Sequence, residues 1–148
     1  MIPSDRLILL DTNVLLHLIR GREAGRWIDE RYRLRERSEK PLVSVVSVGE
    51  LFRIAHRRKW GTGRLSALND LVSEMLVIGL EPEVVRGYGR MGAHLDGAGT
   101  PIPQNDLWIA ATAASKRAVL LTTDTHFDRL HATHAECEFI DPGELPSS

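Results

Sequence analysis

The sequence has a single cysteine, Cys137, so no disulfide can close within the chain, and a lone thiol fits a reducing compartment. Long hydrophobic runs are absent. The first apolar stretch, Leu7-Ile8-Leu9-Leu10, is too short for a signal peptide or a membrane span, so a cytoplasmic protein without a membrane partner is expected. Aromatic residues make up only 5%, and neither charge sign dominates: 19 Lys and Arg stand against 20 Asp and Glu, a net charge of -1. Such a balance gives no overall field that selects nucleic acid or membrane, and any such preference has to be local. Internal repeats and low-complexity tracts are also missing.

What is present is 148 residues with 43% hydrophobic content, which predicts one domain over 1–148 with a polar tail from about residue 141. Short apolar runs alternate with helical periodicity. Strands are expected at 7–10, 42–46, 76–80, 119–122 and 138–140. Between them, helices are expected from Thr12 to a break at Gly21, over 23–39, from Ser47 onward, over 65–75, from Pro82 to about His94 and over 103–113, with a short helix after Asp124. Gly97-Ala98-Gly99-Thr100-Pro101 is read as a glycine-rich loop. Each crossover is longer than the dozen residues that a parallel strand pair needs, so the fold class is α/β: a mainly parallel five-stranded sheet covered on both faces.

Four acids fall into a pattern on that layout. Asp11 ends the first apolar run, Glu50 opens the helix after the second, Asp106 sits in the first turn of a late helix, and Asp124 follows the fourth strand. All four then lie near the carboxyl edge of the sheet, where open α/β sheets bind ligands. Converging carboxylates repel and raise one another's pKa unless a cation neutralises them, and oxygen-only ligation selects a hard ion such as Mg or Mn. Such a site can hydrolyse a phosphodiester without a nucleophilic side chain. Taken singly, each acid has a plainer role: Ser47 and Glu50 have capping-box spacing, and Asp106 and Asp124 could favour helix dipoles. Asp11 is harder to explain that way, because Thr12 or Asn13 could cap the following helix equally well.

The segments Leu10-Asp11-Thr12-Asn13-Val14-Leu15, Ser47-Val48-Gly49-Glu50-Leu51, Asn105-Asp106-Leu107-Trp108-Ile109-Ala110-Ala111-Thr112-Ala113 and Leu121-Thr122-Thr123-Asp124-Thr125-His126-Phe127 resemble, in order and spacing, the PIN-domain ribonucleases, and among them the VapC-type toxins of type II toxin-antitoxin pairs. The resemblance implies a three-layer α/β/α PIN-like fold and a metal-dependent endoribonuclease acting on tRNA or another structured RNA. It implies that Asp11, Glu50, Asp106 and Asp124 bind Mg or Mn, with Asn13 orienting the first acid and Thr122 supporting the metal loop. Asp128 is either a contributor to a second ion or a solvated residue. A cognate antitoxin docking beside the acids, on a surface including Phe52 and Ile54, and a homodimer are further implications.

The RNA expectation has a local footing. Arg53, Arg57, Arg58, Lys59 and Arg64 occur with no acid between Leu51 and Asn69, a patch that either holds phosphates or is a solvated helix end. The arginines at 31–37 are interleaved with glutamates and are read as an ion-paired face. His131, His134 and Cys137 lack a fourth partner and are not read as a zinc site; His126 is not needed by a carboxylate mechanism. Trp27 and Trp108 are read as packing residues. Two other functions remain open at this point: a non-catalytic PIN-like binder of RNA or a partner, and a haloacid-dehalogenase-like phosphatase. The phosphatase requires a second Asp where this chain has Asn13.

Overall fold

The computed structural model describes residues 2–130 and 135–146. Five strands form one parallel sheet in the order β3-β2-β1-β4-β5: β1 (Ile8–Leu10), β2 (Leu42–Ser44), β3 (Leu76–Ile78), β4 (Val119–Thr122) and β5 (Glu136–Phe139). Every pairing is parallel, so the sheet is wholly rather than mainly so. β1 lies in the middle because its apolar residues have to be buried on both faces.

The helices divide between those faces: α1 (Thr12–Arg20), α2 (Glu23–Tyr32), α3 (Val45–Arg57), α4 (Thr62–Ser73), α5 (Pro82–Ala98) and α6 (Gln104–Ser115). Strand residues alternate accordingly. Ile8, Leu10, Val43, Val119 and Leu121 pack with the first four helices, whereas Leu9, Leu42 and Leu120 pack with α5 and α6. These are the three expected layers.

Several expected boundaries move. The strand read as 42–46 ends at Ser44, whose hydroxyl accepts the Val46 N–H at 3.1 Å and starts α3 there; Val45 and Val46 are β-branched but helical. The helix read as 23–39 stops at Tyr32. Arg33 turns left-handed with φ 50°, which brings Leu34 into the core, and the charged segment beyond it has no apolar stripe to hold a helix. Gly97 and Ala98 belong to α5 rather than to a loop, and left-handed Gly99 ends it. The last strand starts at Glu136, earlier than 138–140, because pairing with β4 rather than an apolar pattern defines this edge. One glycine is fixed by packing: a Cβ on Gly25 would lie 2.3 Å from the His17 carbonyl oxygen, so α2 can cross α1 only without a side chain there.

Candidate active site

Asp11 continues the β1 ladder by donating its N–H to the Leu121 carbonyl at 3.0 Å, and then caps α1. Its Oδ1 accepts the Thr12 N–H at 2.8 Å and its Oδ2 accepts the Thr122 hydroxyl at 2.7 Å. Both oxygens are thus held at the carboxyl edge of the two central strands. The side chain is almost fully buried, at 3% exposed. Burial pushes its carboxyl up to about 6; the Thr122 bond opposes this, the Asp106 charge adds to it, the Thr12 bond opposes it and the Glu50 charge adds to it. Asp11, Asp106 and Glu50 therefore share one electrostatic neighbourhood.

Glu50 is held from two sides. Its Oε1 accepts the Thr12 hydroxyl at 2.7 Å, and its Oε2 accepts the Asn105 side-chain amide at 3.2 Å. Thr12 Oγ1 also lies 2.9 Å from Ser47 Oγ. With one proton to give, the threonine donates it to the carboxylate and accepts that of Ser47. The capping-box role for Ser47 and Glu50 does not hold: Ser44 is the cap, and Glu50 lies in the second turn of α3. Their spacing of three instead puts both side chains on the face that meets Thr12.

Asp106 is half-buried in the first turn of α6, with buried Ile109, Ala110 and Ala113 further along the helix. Asp124 is half-buried just beyond β4, and its backbone N–H donates to Thr122 Oγ1 at 3.0 Å. Thr122, buried at 1% exposed, thereby ties the Asp124 backbone to the Asp11 carboxylate through one hydroxyl. Among the described residues no three His, Cys, Asp or Glu side chains are drawn tightly enough together to hold an ion as they stand.

The other expected residues are placed as follows. Asn13 is exposed, and the groups bonded to Asp11 are Thr12 and Thr122 instead. Asp128 is exposed on a 3-10 turn at Thr125–Arg129, and its charge acts on Cys137. Burial, with the Asp128, Asp11 and Glu136 charges, pushes that thiol up to about 12, so it is neither a nucleophile nor a thiolate ligand at neutral pH. His131, His134 and the His126 side chain lie outside the described residues. Arg53, Arg57, Arg58 and Lys59 are all exposed, and Arg53 and Arg57 follow Glu50 at i+3 and i+7 on one stripe of α3. Trp108 stacks on Tyr88 at 3.7 Å and Trp27 packs against the core, both as packing residues. Phe52 is 39% exposed, while Ile54 is half-buried. A cleft of about 410 Å³, lined in part by Leu18, Leu34, Lys40 and Met75, contains none of the four acids.

The sequence suggested only local capping for Thr12 and Ser47 and no role for Asn105. The only trace of this network was the Ser47-to-Glu50 spacing, which local chemistry explains equally well as a cap. That Thr12 meets Glu50 across 38 residues follows from how α1 packs on α3.

Asp11 and Asp124 stand at the carboxyl ends of β1 and β4, neighbouring strands of a wholly parallel sheet, the architecture of an α/β fold of the PIN type. The PIN-domain profile matches residues 8–132. The sequence is 30% identical over 122 residues to ribonuclease VapC5 of Mycobacterium tuberculosis, covering 82% of this chain and 86% of that one. It is 26% identical over 129 residues to the tRNA(fMet)-specific endonuclease VapC of Shigella flexneri, covering 86% and 95%. The fold is similar to that of VapBC-5, a member of the VapBC family of toxin-antitoxin systems from Mycobacterium tuberculosis, with a TM-score of 0.64, 28% identity and coverage of 93% and 98%. The chain belongs to the PIN-domain family, and within it to the VapC type.

Proposed function

We propose that this protein is a divalent-metal-dependent endoribonuclease, the toxin of a toxin-antitoxin pair, with Asp11, Glu50, Asp106 and Asp124 as its metal-binding and catalytic acids. The observation that carries this is Asp11: a buried carboxylate fixed at both oxygens, with two further acids close enough to act on its charge. The donor set fits a hard ion. Its members are all carboxylates, and the hydrogen bonds to Asp11 and Glu50 come from hydroxyls and amides, with no ion pair to either among the described residues. When bound, Mg or Mn supplies Lewis acidity toward the phosphate and lowers the pKa of water.

The chain's own residues then orient and exclude. Thr122 and Thr12 hold both Asp11 oxygens, which fixes the direction of its remaining lone pairs. Thr12 and Asn105 do the same for Glu50, tying α1, α3 and α6 around the acids. Phosphates approach along the Glu50 stripe of α3, where Arg53 and Arg57 follow, with Arg58 and Lys59 beyond them. Asn13 is assigned no contact with Asp11, and Asp128 is taken as solvated.

The names of the relatives support ribonuclease action, tRNA as one substrate class and an antitoxin partner. Half-exposed Phe52 on α3 is a contact point for that partner or for a second copy in a homodimer. Among the described residues no helix is long and apolar enough to cross a membrane, and residues 1–148 are taken as one domain acting in the cytoplasm. The haloacid-dehalogenase alternative is dropped: Asn13 stands where it needs a second acid, and the PIN match covers the same strands. The test is cleavage of total tRNA by wild type and Asp11→Asn, prepared identically, with Mg, Mn or EDTA. Cleavage that needs the metal and vanishes in the variant is expected; an active variant would overturn the mechanism.

A further inference from the structure

Four arginines from separate elements meet at the far end of α1. Arg20 ends that helix, Arg22 precedes α2, Arg58 caps the end of α3, and Arg64 lies in the first turn of α4. They come together because α1 packs against α2, α3 and α4. The Arg20 guanidinium is held below its ordinary range by burial and then by the charges of Arg58, Arg64 and Arg22, so all four share one neighbourhood. Arg64 also lies over the Trp60 ring at 5.5 Å.

Helix dipoles do not account for this gathering. Cations at the ends of α1 and α3 are favoured, but Arg22 and Arg64 sit at helix starts, where the dipole opposes them. Nor do ion pairs: among the described residues none of the four forms one, and although Glu23 follows Arg22 in the first turn of α2, the first turn of α4 has no acid. Unrelieved repulsion between folded cations costs stability, which is expected where an anionic partner supplies the missing charge.

We propose that Arg20, Arg22, Arg58 and Arg64 form a second RNA-backbone site that anchors the substrate away from the scissile phosphate. The proposal rests on the ribonuclease reading and extends it to residues on α1, α2 and α4. The nine residues of α1 separate Asp11 from Arg20 by about 13 Å at 1.5 Å per residue. Arg53 and Arg57 lie on the helix that joins the two regions, so a strand leaving the acids meets positive charge along the whole way. An acidic protein segment would be held by the same guanidinium groups. RNA is favoured because the track starts at the acids and continues along Arg53 and Arg57 to the four guanidinium groups, as a phosphate backbone would require.

The experiment measures binding of total tRNA to the Asp11→Asn protein, which does not cut it, against salt concentration, with and without Arg20→Gln and Arg64→Gln together. The expected result is an affinity loss of about tenfold or more at low salt, with the log-log salt slope reduced by about 1.5 for two lost phosphate contacts. Arg20→Lys with Arg64→Lys is expected to restore the slope, since charge is kept. The melting temperature of the Gln variant is expected to stay level or rise, which separates lost binding from lost folding. Unchanged affinity and slope would overturn the proposal, as would a loss confined to antitoxin binding or self-association. If wild type cuts no RNA while tRNA binding still depends on Arg20 and Arg64, the ribonuclease reading fails and the surface stands.

Discussion

Thr122 Oγ1 donates to Asp11 Oδ2 over 2.7 Å while accepting the Asp124 amide at 3.0 Å. One hydroxyl thus orients a buried acid and fixes the loop that carries another. Thr122→Val keeps the shape and deletes both bonds. The Asp11 carboxyl then loses the bond that opposes its upward shift, so the acid limb of the pH-rate profile is expected to move to higher pH. Stability is expected to fall by about 1–3 kcal/mol, the cost of leaving a buried acceptor underbonded. Thr122→Ser restores the hydroxyl and is expected to return both. A Val variant with the wild-type pH profile would remove Thr122 from the site.

Asp11 also makes stability depend on pH in a direction opposite to most carboxylates. Its folded value of about 6 lies above its ordinary 3.8, so between these two values the folded protein holds a proton that the unfolded chain has lost. Metal-free protein is therefore expected to be most stable, in respect of this group, below the lower value, and to lose about 3 kcal/mol as pH rises through the upper one. Asp11→Asn removes the loss and is expected to be more stable than wild type at pH 7 in EDTA. Mg at about a hundred times its Kd is expected to stabilise wild type by about 2.7 kcal/mol and the variant by far less. Denaturation at pH 4 to 8, with Mg and with EDTA, checks both signs.

The close crossing of α1 and α2 gives a control outside the site. Gly25→Ala places a Cβ against a backbone carbonyl, which cannot rotate away as a side chain could. A destabilisation of about 2–3 kcal/mol is expected. Where the variant stays folded, cleavage per folded molecule is expected to be unchanged, because the acids lie at the other end of α1. A melting curve matching wild type would mean that α2 can shift freely.

The middle of the sheet was legible in the sequence because β1 and β4 are buried on both faces: Leu9, Leu10, Leu120 and Leu121 are continuous apolar residues of the kind a covered parallel sheet requires. The edges were less legible. β5 carries Glu136 and Glu138, so nothing in its hydropathy marks where pairing with β4 begins. Helix ends were misplaced where a single residue decided them, as at Ser44 and Arg33. Asp11, Asp106 and Asp124 could be picked out as candidates because each lies at the end or start of an element, whereas Glu50, in the second turn of α3, stood out only by following the second strand. What orients them was legible only in part: the family resemblance pointed to Thr122, but the bonds of Thr12 and Asn105 to Glu50 span 38 and 55 residues. Such pairs follow from strand order and helix packing, neither of which a one-dimensional pattern states.

The Asn105 amide is the sharpest case, because it joins two helices through an acid. It is exposed on the first turn of α6, and its Nδ2 reaches Glu50 Oε2 on α3 while Thr12 holds the other oxygen. Asn105→Ala leaves Glu50 with one donor and frees it to turn. Because the bond is exposed, folding stability is expected to change by less than about 0.5 kcal/mol. The loss falls on the orientation of the acid, so kcat is expected to drop about tenfold to a hundredfold, with the Mg concentration for half-maximal rate rising. Asn105→Asp is expected to be worse than Asn105→Ala, because it replaces a donor by a third charge facing Glu50. Equal rates for the two variants would mean that the amide serves only to space the helices.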